Sequence, residues 1–369
     1  MTTDVIRAAV GTIRAGILGA GFMARVHADA TRAVGGDLVA IAASTPSRSA
    51  LAATTVGAQR AALSADELIA APDVDLVHVC TPNSTHSGFA AAALGAGKHV
   101  VCEKPLALSA DDAARLSALA ADSGRVAAVP FVYRYHPMVR EARARVQRGA
   151  LGALLTLDCA YLQDWMLLPT DDDWRASAEL GGPSRAFADI GSHLCDLIEF
   201  VIGERIAALS ARTRTVFGER DGHVVDNEDI AALLVQTASG AVGTVLISQM
   251  AAGRKNALTV ELHGSHESIR FQQERPEELW IGGRTESRLL LRDPAMSSPD
   301  SARLQRVPAG HPMGYLDAFT SFMGDVHSAI AGEQPDGLPT FADGLRAAVL
   351  TEAVLASAAE GGRTVEVRG

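Results

Sequence analysis

The stretch that most restricts how this chain can fold is "TIRAGILGAGFMA", Thr12 to Ala24, where an apolar run meets the turn Gly19-Ala20-Gly21-Phe22-Met23-Ala24. The run reads as a buried strand, and "FMARVHADATRAV" behind it has helical spacing. In this GxGxxA turn Gly19 allows the tight bend, Gly21 lets a ligand approach the backbone, and Ala24 brings helix and strand close. A helix start offers unpaired amide hydrogens and the positive end of the helix dipole, which suits a pyrophosphate. A chance glycine turn is the plain alternative. Placement directly between the first strand and the first helix favours a bound dinucleotide, with Phe22 and Met23 beside it.

The pattern then repeats. Strands "DLVAIAAS", "VDLVHVCTP", "HVVCEKP" and "VAAVPFVYRY" alternate with helices "SRSALAATTVG", "SADELIAA", "THSGFAAAALGAG" and "ADDAARLSALAADSG". Ser64 with Glu67 forms a capping box, and Ser109 caps the helix that follows it. Such alternation implies right-handed βαβ units and a parallel sheet, an α/β Rossmann arrangement. In an NAD site an acidic residue about 20 residues past the glycines holds the ribose 2′-hydroxyl. Here Ala43, Ser44 and Thr45 end the second strand and Arg48 follows. No carboxylate repels a 2′-phosphate, and two hydroxyls and a guanidinium are at hand. NADP is therefore favoured over NAD, the alternative being that Arg48 is a surface residue of the second helix's first turn.

A chain of 369 residues is too long for one ordinary core and implies two domains. Its apolar runs are too short to span a membrane, and "MTTDVIRAAVGTIR" lacks a signal pattern and reads as a loose leader into the first strand. Cys80, Cys102, Cys159 and Cys195 form no CxxC pair, as expected of reduced thiols in a cytoplasmic protein. The net charge of −10 argues against nucleic acid or an anionic membrane as partner. The histidines form no HxH or HxxxH set, so no catalytic metal is expected.

After about residue 130 the pattern changes. "HPMVREARARVQRGALG" reads as a helix, "ALLTLDCAYLQDW" as a strand, "MLLPTDDDWRASAELGGPSRAF" as a polar loop and "DIGSHLCDLIEFVIG" as a helix. Strands then dominate: "IAALSARTRTVF", "EDIAALLVQTASGAVGTVLISQM", "NALTVELHG", "SIRFQQE" and "ELWIGG". Turn signals such as Ala238-Ser239-Gly240 and Gly264-Ser265 make antiparallel pairing the rule. "SSPDSARLQRVPAGHPMG" reads as a loop, and "YLDAFTSFMGDVHSAIAG" and "FADGLRAAVLTEAVLASAAEG" as helices. The expected division is a dinucleotide-binding domain over 1–130 and an α+β domain over 131–369, with the helix 341–360 able to pack back on the first.

Two spacings bear on chemistry. Asp189 and His193 are four apart on one helix face, while Leu194, Leu197, Ile198 and Val201 make its buried stripe. A histidine there is often a cap or core residue, but a carboxylate beside an imidazole sets its tautomer and raises its basicity. Lys104, in "VVCEKPLALS", ends a parallel strand, where open α/β sheets bind ligands; the bland reading is a solvated strand end. Together Lys104, Asp189 and His193 make a proton-handling set around a hydroxyl carbon. In "YLQDW", Gln163 and Asp164 suit sugar hydroxyls and Trp165 can cover an apolar sugar face, unless this is a strand with a buried aromatic. Tyr133, Arg134 and His136 serve either substrate or hinge packing, and Gly253 to Asn256 either a hairpin turn or a substrate contact.

As an ordered set, Gly19-Ala-Gly-Phe-Met-Ala24, Thr81-Pro82-Asn83-Ser-Thr-His86, Glu103-Lys104-Pro105, Trp174-Arg175 and Asp189-Ile-Gly-Ser-His193 resemble the Gfo/Idh/MocA family, over about residues 13 to 367. The resemblance implies a Rossmann domain, a second domain with a large, mostly antiparallel sheet, and homodimers or homotetramers built through that sheet. It implies that Thr81, Pro82, Asn83, His86, Trp174 and Arg175 line the cofactor and that Glu103 contacts its nicotinamide half. Lys104, Asp189 and His193 would be catalytic, and Pro105 would follow a cis bond. A closer similarity to sugar-oxidising members rests on Tyr161-Leu-Gln-Asp-Trp165, Gly253-Arg254-Lys255-Asn256 and Phe341-Ala-Asp-Gly344. The chain departs from the family at Ala43, where NAD users carry an acid, and at Ser184-Arg185, which interrupt a glycine run; Arg185 then reaches substrate or phosphate, or faces solvent.

The implied activity is NAD(P)-dependent hydride transfer from a secondary alcohol of a sugar, anhydrosugar, glycoside or cyclitol. The alternatives are a non-catalytic cofactor-bound regulator, against which Lys104, Asp189 and His193 speak, and a redox-neutral glycoside hydrolase that retains its cofactor.

Overall fold

Parallel strands covered on both faces need apolar residues along their length, and the first third supplies them. In the computed structural model, which describes residues 11–368, the strands β1 Arg14–Leu18, β2 Asp37–Ala42, β3 Arg60–Ala61, β4 Leu76–Val79, β5 His99–Cys102 and β6 Ala127–Ala128 form one parallel sheet in the order β3-β2-β1-β4-β5-β6. Residues 1–10, most of the expected leader, lie outside the described residues. Ile17, Leu76, Val77, Val79, Val100 and Val101 are fully buried. The crossovers are the helices α1 Phe22–Ala33, α2 Pro46–Val56, α3 Ala65–Ala70, α4 His86–Gly95 and α5 Ala110–Ser123. The Ser64 hydroxyl accepts the Glu67 amide at 3.1 Å, and the Glu67 carboxylate reaches back to the Leu63 amide at 2.8 Å. Ser109 caps α5 by accepting the Asp112 amide.

Two expectations change. Of "VAAVPFVYRY" only Ala127–Ala128 is strand; Pro130 has no amide hydrogen for a ladder, and a 3₁₀ turn, Val132–Tyr135, follows. The chain also forms two compact units, and Tyr315–Leu345 belongs with residues up to Val132 in the first. The helix Tyr315–Ile330 packs on α1: the Phe319 ring lies 4.7 Å from that of His27, and the Tyr315 hydroxyl is 3.9 Å from Met23 Sδ.

The second unit, Tyr133–Gly314 with Arg346–Gly369, holds a nine-stranded sheet. Its strands are β7 Leu154–Leu162, β8 Ile206–Arg214, β11 Ile230–Thr237, β12 Val242–Ser248, β13 Ala257–Gly264, β14 Ser268–Gln272, β15 Glu278–Gly282, β16 Ser287–Leu291 and β17 Val365–Glu366. A separate ribbon pairs β9 Glu219–Arg220 with β10 His223–Val224. The large sheet runs β16-β15-β14-β13-β7-β12-β11-β8-β17 and is antiparallel except between β7 and β12. The helices Pro137–Gln147 and Ser192–Ile202 pack together against its strands. Alternation along β11 buries Ala231, Leu233 and Val235 but leaves Leu234 63% exposed, and Leu155, Val242, Leu246, Leu289 and Leu291 are also exposed. Cys80, Cys102, Cys159 and Cys195 are free thiols. Among the described residues no helix is long and apolar enough to cross a membrane.

The β1–β4 neighbourhood depends on Gly19. Its φ is +109°, its amide donates to the Ala42 carbonyl at 2.8 Å, and a Cβ there would collide with the Cys80 carbonyl. Gly19→Ala should destabilise the first unit by about 1–3 kcal/mol, read from denaturant unfolding. An unchanged unfolding midpoint would show that the turn has room for a side chain.

Candidate functional site

In the first unit the carboxyl ends of β1, β2, β4 and β5 carry most of the residues in question. Gly21 caps α1 without a side-chain hydrogen bond, and a Cβ on it would meet nothing within 4 Å, so the first-turn amides lie open, as a pyrophosphate needs. Phe22 is 62% exposed beside them, and Met23 is half-buried. Ser44, Thr45 and Arg48 are exposed at the end of β2. The Thr45 hydroxyl caps α2 through the Arg48 amide, and Ser49 Oγ accepts the Ala43 amide at 2.9 Å, which holds the strand end in shape. These features fit a dinucleotide.

Thr81 and Pro82 are half-buried and lead into the 3₁₀ turn Asn83–Thr85, with Asn83 buried and the Thr85 hydroxyl donating to Thr81 Oγ1 at 2.6 Å. His86 is held by the chain on both sides of its ring. It is buried, its Nδ1 lies 2.7 Å from the Pro105 carbonyl and its Nε2 2.8 Å from the Thr81 carbonyl, and burial lowers its pKa despite both carbonyls. The neutral ring donates to one of these carbonyls, and both of its nitrogens face the chain itself. The Lys104–Pro105 bond is cis, as expected. Lys104 is half-buried, and the buried Glu103 accepts from His27 Nε2 at 3.0 Å and from the Lys104 amide at 3.2 Å.

In the second unit a π-helical turn, Phe187–Gly191, runs directly into the helix Ser192–Ile202. From Ser184 to Val201 every residue is buried except Asp189 and His193, which are partly exposed. The apolar stripe expected from the sequence is thus part of a helix enclosed on almost all sides. Its polar residues inside are paired: Asp196 with Arg134, and Glu199 with Arg346 at 2.8 Å. Asp189 accepts from Gln249 Nε2 at 2.9 Å, and Arg175 Nε lies 3.5 Å from its other oxygen. Arg175 also pairs with Asp173 and lies over the Trp174 ring, so these two residues, expected at the cofactor, sit beside the carboxylate in this unit.

The His193 ring stands edge-on to Tyr133 at 5.1 Å. Tyr133 is buried, which raises its pKa and keeps it a neutral phenol. Its hydroxyl meets that of Tyr161 at 2.5 Å and Asn256 Nδ2 at 3.2 Å. Asn256 Oδ1 accepts from Tyr161 at 2.6 Å and Gln163 at 2.9 Å, and Trp165 Nε1 donates to Gln163 Oε1 at 2.8 Å. Tyr133, Gln163 and Trp165 are thereby brought together, with Asn256 as their hub.

Arg185 is not brought to this face. It is fully buried and ion-paired with Asp229, which Arg220 also binds at 2.8 Å, and Ser184 donates to Glu228 at 2.7 Å. The acidic pair Glu228-Asp229 draws both interrupting residues inward, so Arg185 has no reach to substrate. Sequence reasoning missed Gln249, whose only signal is its position just past β12, and missed His27 and His78. Among the described residues no group of three or more His, Cys, Asp or Glu could hold a metal ion.

Residues 13–131 match the model of an oxidoreductase family with an NAD-binding Rossmann fold, GFO_IDH_MocA, and residues 139–270 match the GFO/IDH/MocA C-terminal domain. The chain is 32% identical to levoglucosan dehydrogenase of Pseudarthrobacter phenanthrenivorans, over 94% of this chain and 96% of that one. It superposes on levoglucosan dehydrogenase in complex with NADH and levoglucosan with a TM-score of 0.90 at 32% identity, covering 97% of this chain and 99% of that one. An inositol dehydrogenase homologue of Azotobacter vinelandii, complexed with NADH and myo-inositol, gives 0.88 at 28% identity, with 96% and 97% covered.

Proposed function

Because the chain belongs to the Gfo/Idh/MocA oxidoreductase family, we propose that it is a dehydrogenase with Lys104, Asp189 and His193 as its catalytic set and a secondary alcohol of a sugar, anhydrosugar, glycoside or cyclitol as its substrate. One observation carries the assignment: Asp189 and His193 are the only openings in an otherwise buried stretch, beside a phenol–amide network suited to hydroxyl groups. The relatives named for levoglucosan and inositol support the substrate class.

A nicotinamide dinucleotide, when bound, supplies the hydride acceptor. Oxidation also requires removal of the hydroxyl proton. An imidazole, with an ordinary pKa near 6.5, accepts it near neutral pH, and His193 takes that role. Asp189, oriented by Gln249 and Arg175, hydrogen-bonds to substrate or to the base. The Lys104 ammonium counters the negative charge that develops on the substrate oxygen. Gly19 and the amides behind Gly21 hold the pyrophosphate, Thr81, Pro82 and Asn83 line the nucleotide, and Glu103 meets the nicotinamide end.

Ser44, Thr45 and Arg48, exposed where Ala43 replaces a carboxylate, support NADP as the tighter ligand, although the relatives' complexes contain NADH. The exposed leucines of β7, β11 and β12 support a homodimer or homotetramer through that sheet face. The four free thiols support a cytoplasmic location.

Nicotinamide absorbance, followed over a panel of sugars, glycosides and inositols with both cofactors, tests the activity. Substrate conversion with no net absorbance change would instead favour the redox-neutral hydrolase. His193→Ala should lower turnover about 10²–10⁴-fold with cofactor affinity nearly unchanged; near-normal turnover would move the base role to Lys104 or Asp189. Ala43→Asp should reverse the cofactor order by repelling the 2′-phosphate, and tighter binding of NAD than NADP by the natural protein would overturn the preference. Light scattering at micromolar concentration should give a dimer or tetramer, reduced to monomer by Leu234→Asp with Leu246→Asp. A monomeric natural protein would remove the interface.

A further inference from the structure

Behind the Glu103 carboxylate lies a file of buried side chains that the chemistry above does not use. His27 Nε2, from α1, is 3.0 Å from Glu103 Oε1. His27 Nδ1 is 2.8 Å from Nδ1 of His78, in the central strand β4, and His78 Nε2 is 3.4 Å from Thr31 Oγ1, one turn along α1. His27, His78 and Thr31 are 0% exposed and Glu103 is 7% exposed. Phe319 stands edge-on to His27 and seals that side. Titratable groups facing the file include Cys80 and Cys102 near Glu103, both held as neutral thiols by burial, His86, whose pKa burial lowers although the Glu103 charge raises it, and His327 near His78.

Donor and acceptor counting gives this file a direction. A carboxylate only accepts, so His27 Nε2 carries a proton toward Glu103. If His27 is neutral, its Nδ1 is a lone pair, which makes His78 Nδ1 the donor. His78 Nε2 is then a lone pair, and the Thr31 hydroxyl donates to it. Every group finds a partner with all rings neutral and the single negative charge on Glu103. Burial holds His78 well below the ordinary histidine range, which agrees with this assignment. The far end closes on a buried threonine, so the file passes no proton to solvent and acts as a polarity lock.

We infer that His27 and His78 are positioning residues that hold the Glu103 carboxylate ionised and aimed at the nicotinamide end of the cofactor. The inference rests on the reading of Glu103 as a nicotinamide contact made above. Oε1 faces His27 and Oε2 faces the Lys104 amide, so both oxygens are fixed from within the protein. Without the imidazole donor, a buried carboxylate loses a charge-assisted hydrogen bond and is free to turn or take up a proton.

The test compares two ligands that differ only at the nicotinamide. Dissociation constants are measured by calorimetry for NADH and ADP-ribose, and for NADPH and 2′-phospho-ADP-ribose. His27→Leu should weaken the intact dinucleotides about tenfold, as expected for one hydrogen bond to a charged group, and leave the nicotinamide-free ligands within about twofold. His27→Gln, whose side-chain amide can still donate to Glu103, should restore most of the loss. His78→Leu, which removes the donor to His27 while leaving the Glu103 bond in place, should show the same selectivity at about threefold. It also serves if His27→Leu does not fold. Equal losses for both ligands of a pair would mean a merely structural role and overturn the inference, as would no loss in either. A natural protein that binds none of the four would overturn the functional reading itself.

Discussion

The first unit hangs on one close approach, the Gly19 backbone at the end of β1 against the Cys80 carbonyl at the end of β4. Strands β1 and β4 pair in parallel, yet the chain leaves β1 toward β2 on one side and β4 toward β5 on the other. Their carboxyl ends are therefore the place where successive crossovers diverge and a crevice opens. A side chain at position 19 would wedge the two strand ends apart. The open amides after Gly21, the exposed end of β2 and the Thr81 loop take their positions from this contact, and Lys104 takes its position from the next strand over.

The second unit solves a different problem. A helix that must show two polar side chains at one face is here enclosed almost completely. Its other charges are neutralised inside, Asp196 by Arg134 and Glu199 by Arg346, while the preceding turn is pinned through Ser184 and Arg185 to Glu228 and Asp229. Buried ion pairs are weak contributors to stability, because desolvation offsets most of their attraction. Removing one partner is costly, however, so each pair resists any rotation that would part it. The result is a helix with one allowed setting, in which only Asp189 and His193 remain partly open.

Much of this was legible in the sequence because it depends on local chemistry. The period of apolar residues announced the parallel sheet and the antiparallel one, Ser64, Glu67 and Ser109 announced helix starts, and the GxGxxA turn announced Gly19. What escaped was set by partners far along the chain. Arg185 reads as a contact to substrate, phosphate or solvent until Asp229 is placed beside it, and nothing local shows that the Thr81 and Pro105 carbonyls flank the two nitrogens of His86. The helix Tyr315–Ile330 shows an apolar face but not that the surface it covers is α1. His27 and His78, 51 residues apart, carry no local mark of being hydrogen-bonded. Apolar periodicity tells which face is buried; only the tertiary fold tells against what.

The same distinction bears on the polar network of the second unit. Tyr133, Tyr161, Asn256, Gln163 and Trp165 use most of their hydrogen bonds on one another. Asn256 Nδ2 gives one of its two hydrogens to Tyr133, and Gln163 Nε2 gives one of its two to Asn256. A network that holds itself in place leaves its remaining donors at fixed spacing before any ligand arrives. Fixed donors reward a ring whose hydroxyls match that spacing, and they penalise one that lacks a hydroxyl there, because the donor is then desolvated without a partner. The two carboxyamides thus hold their donors at a spacing set by the protein itself.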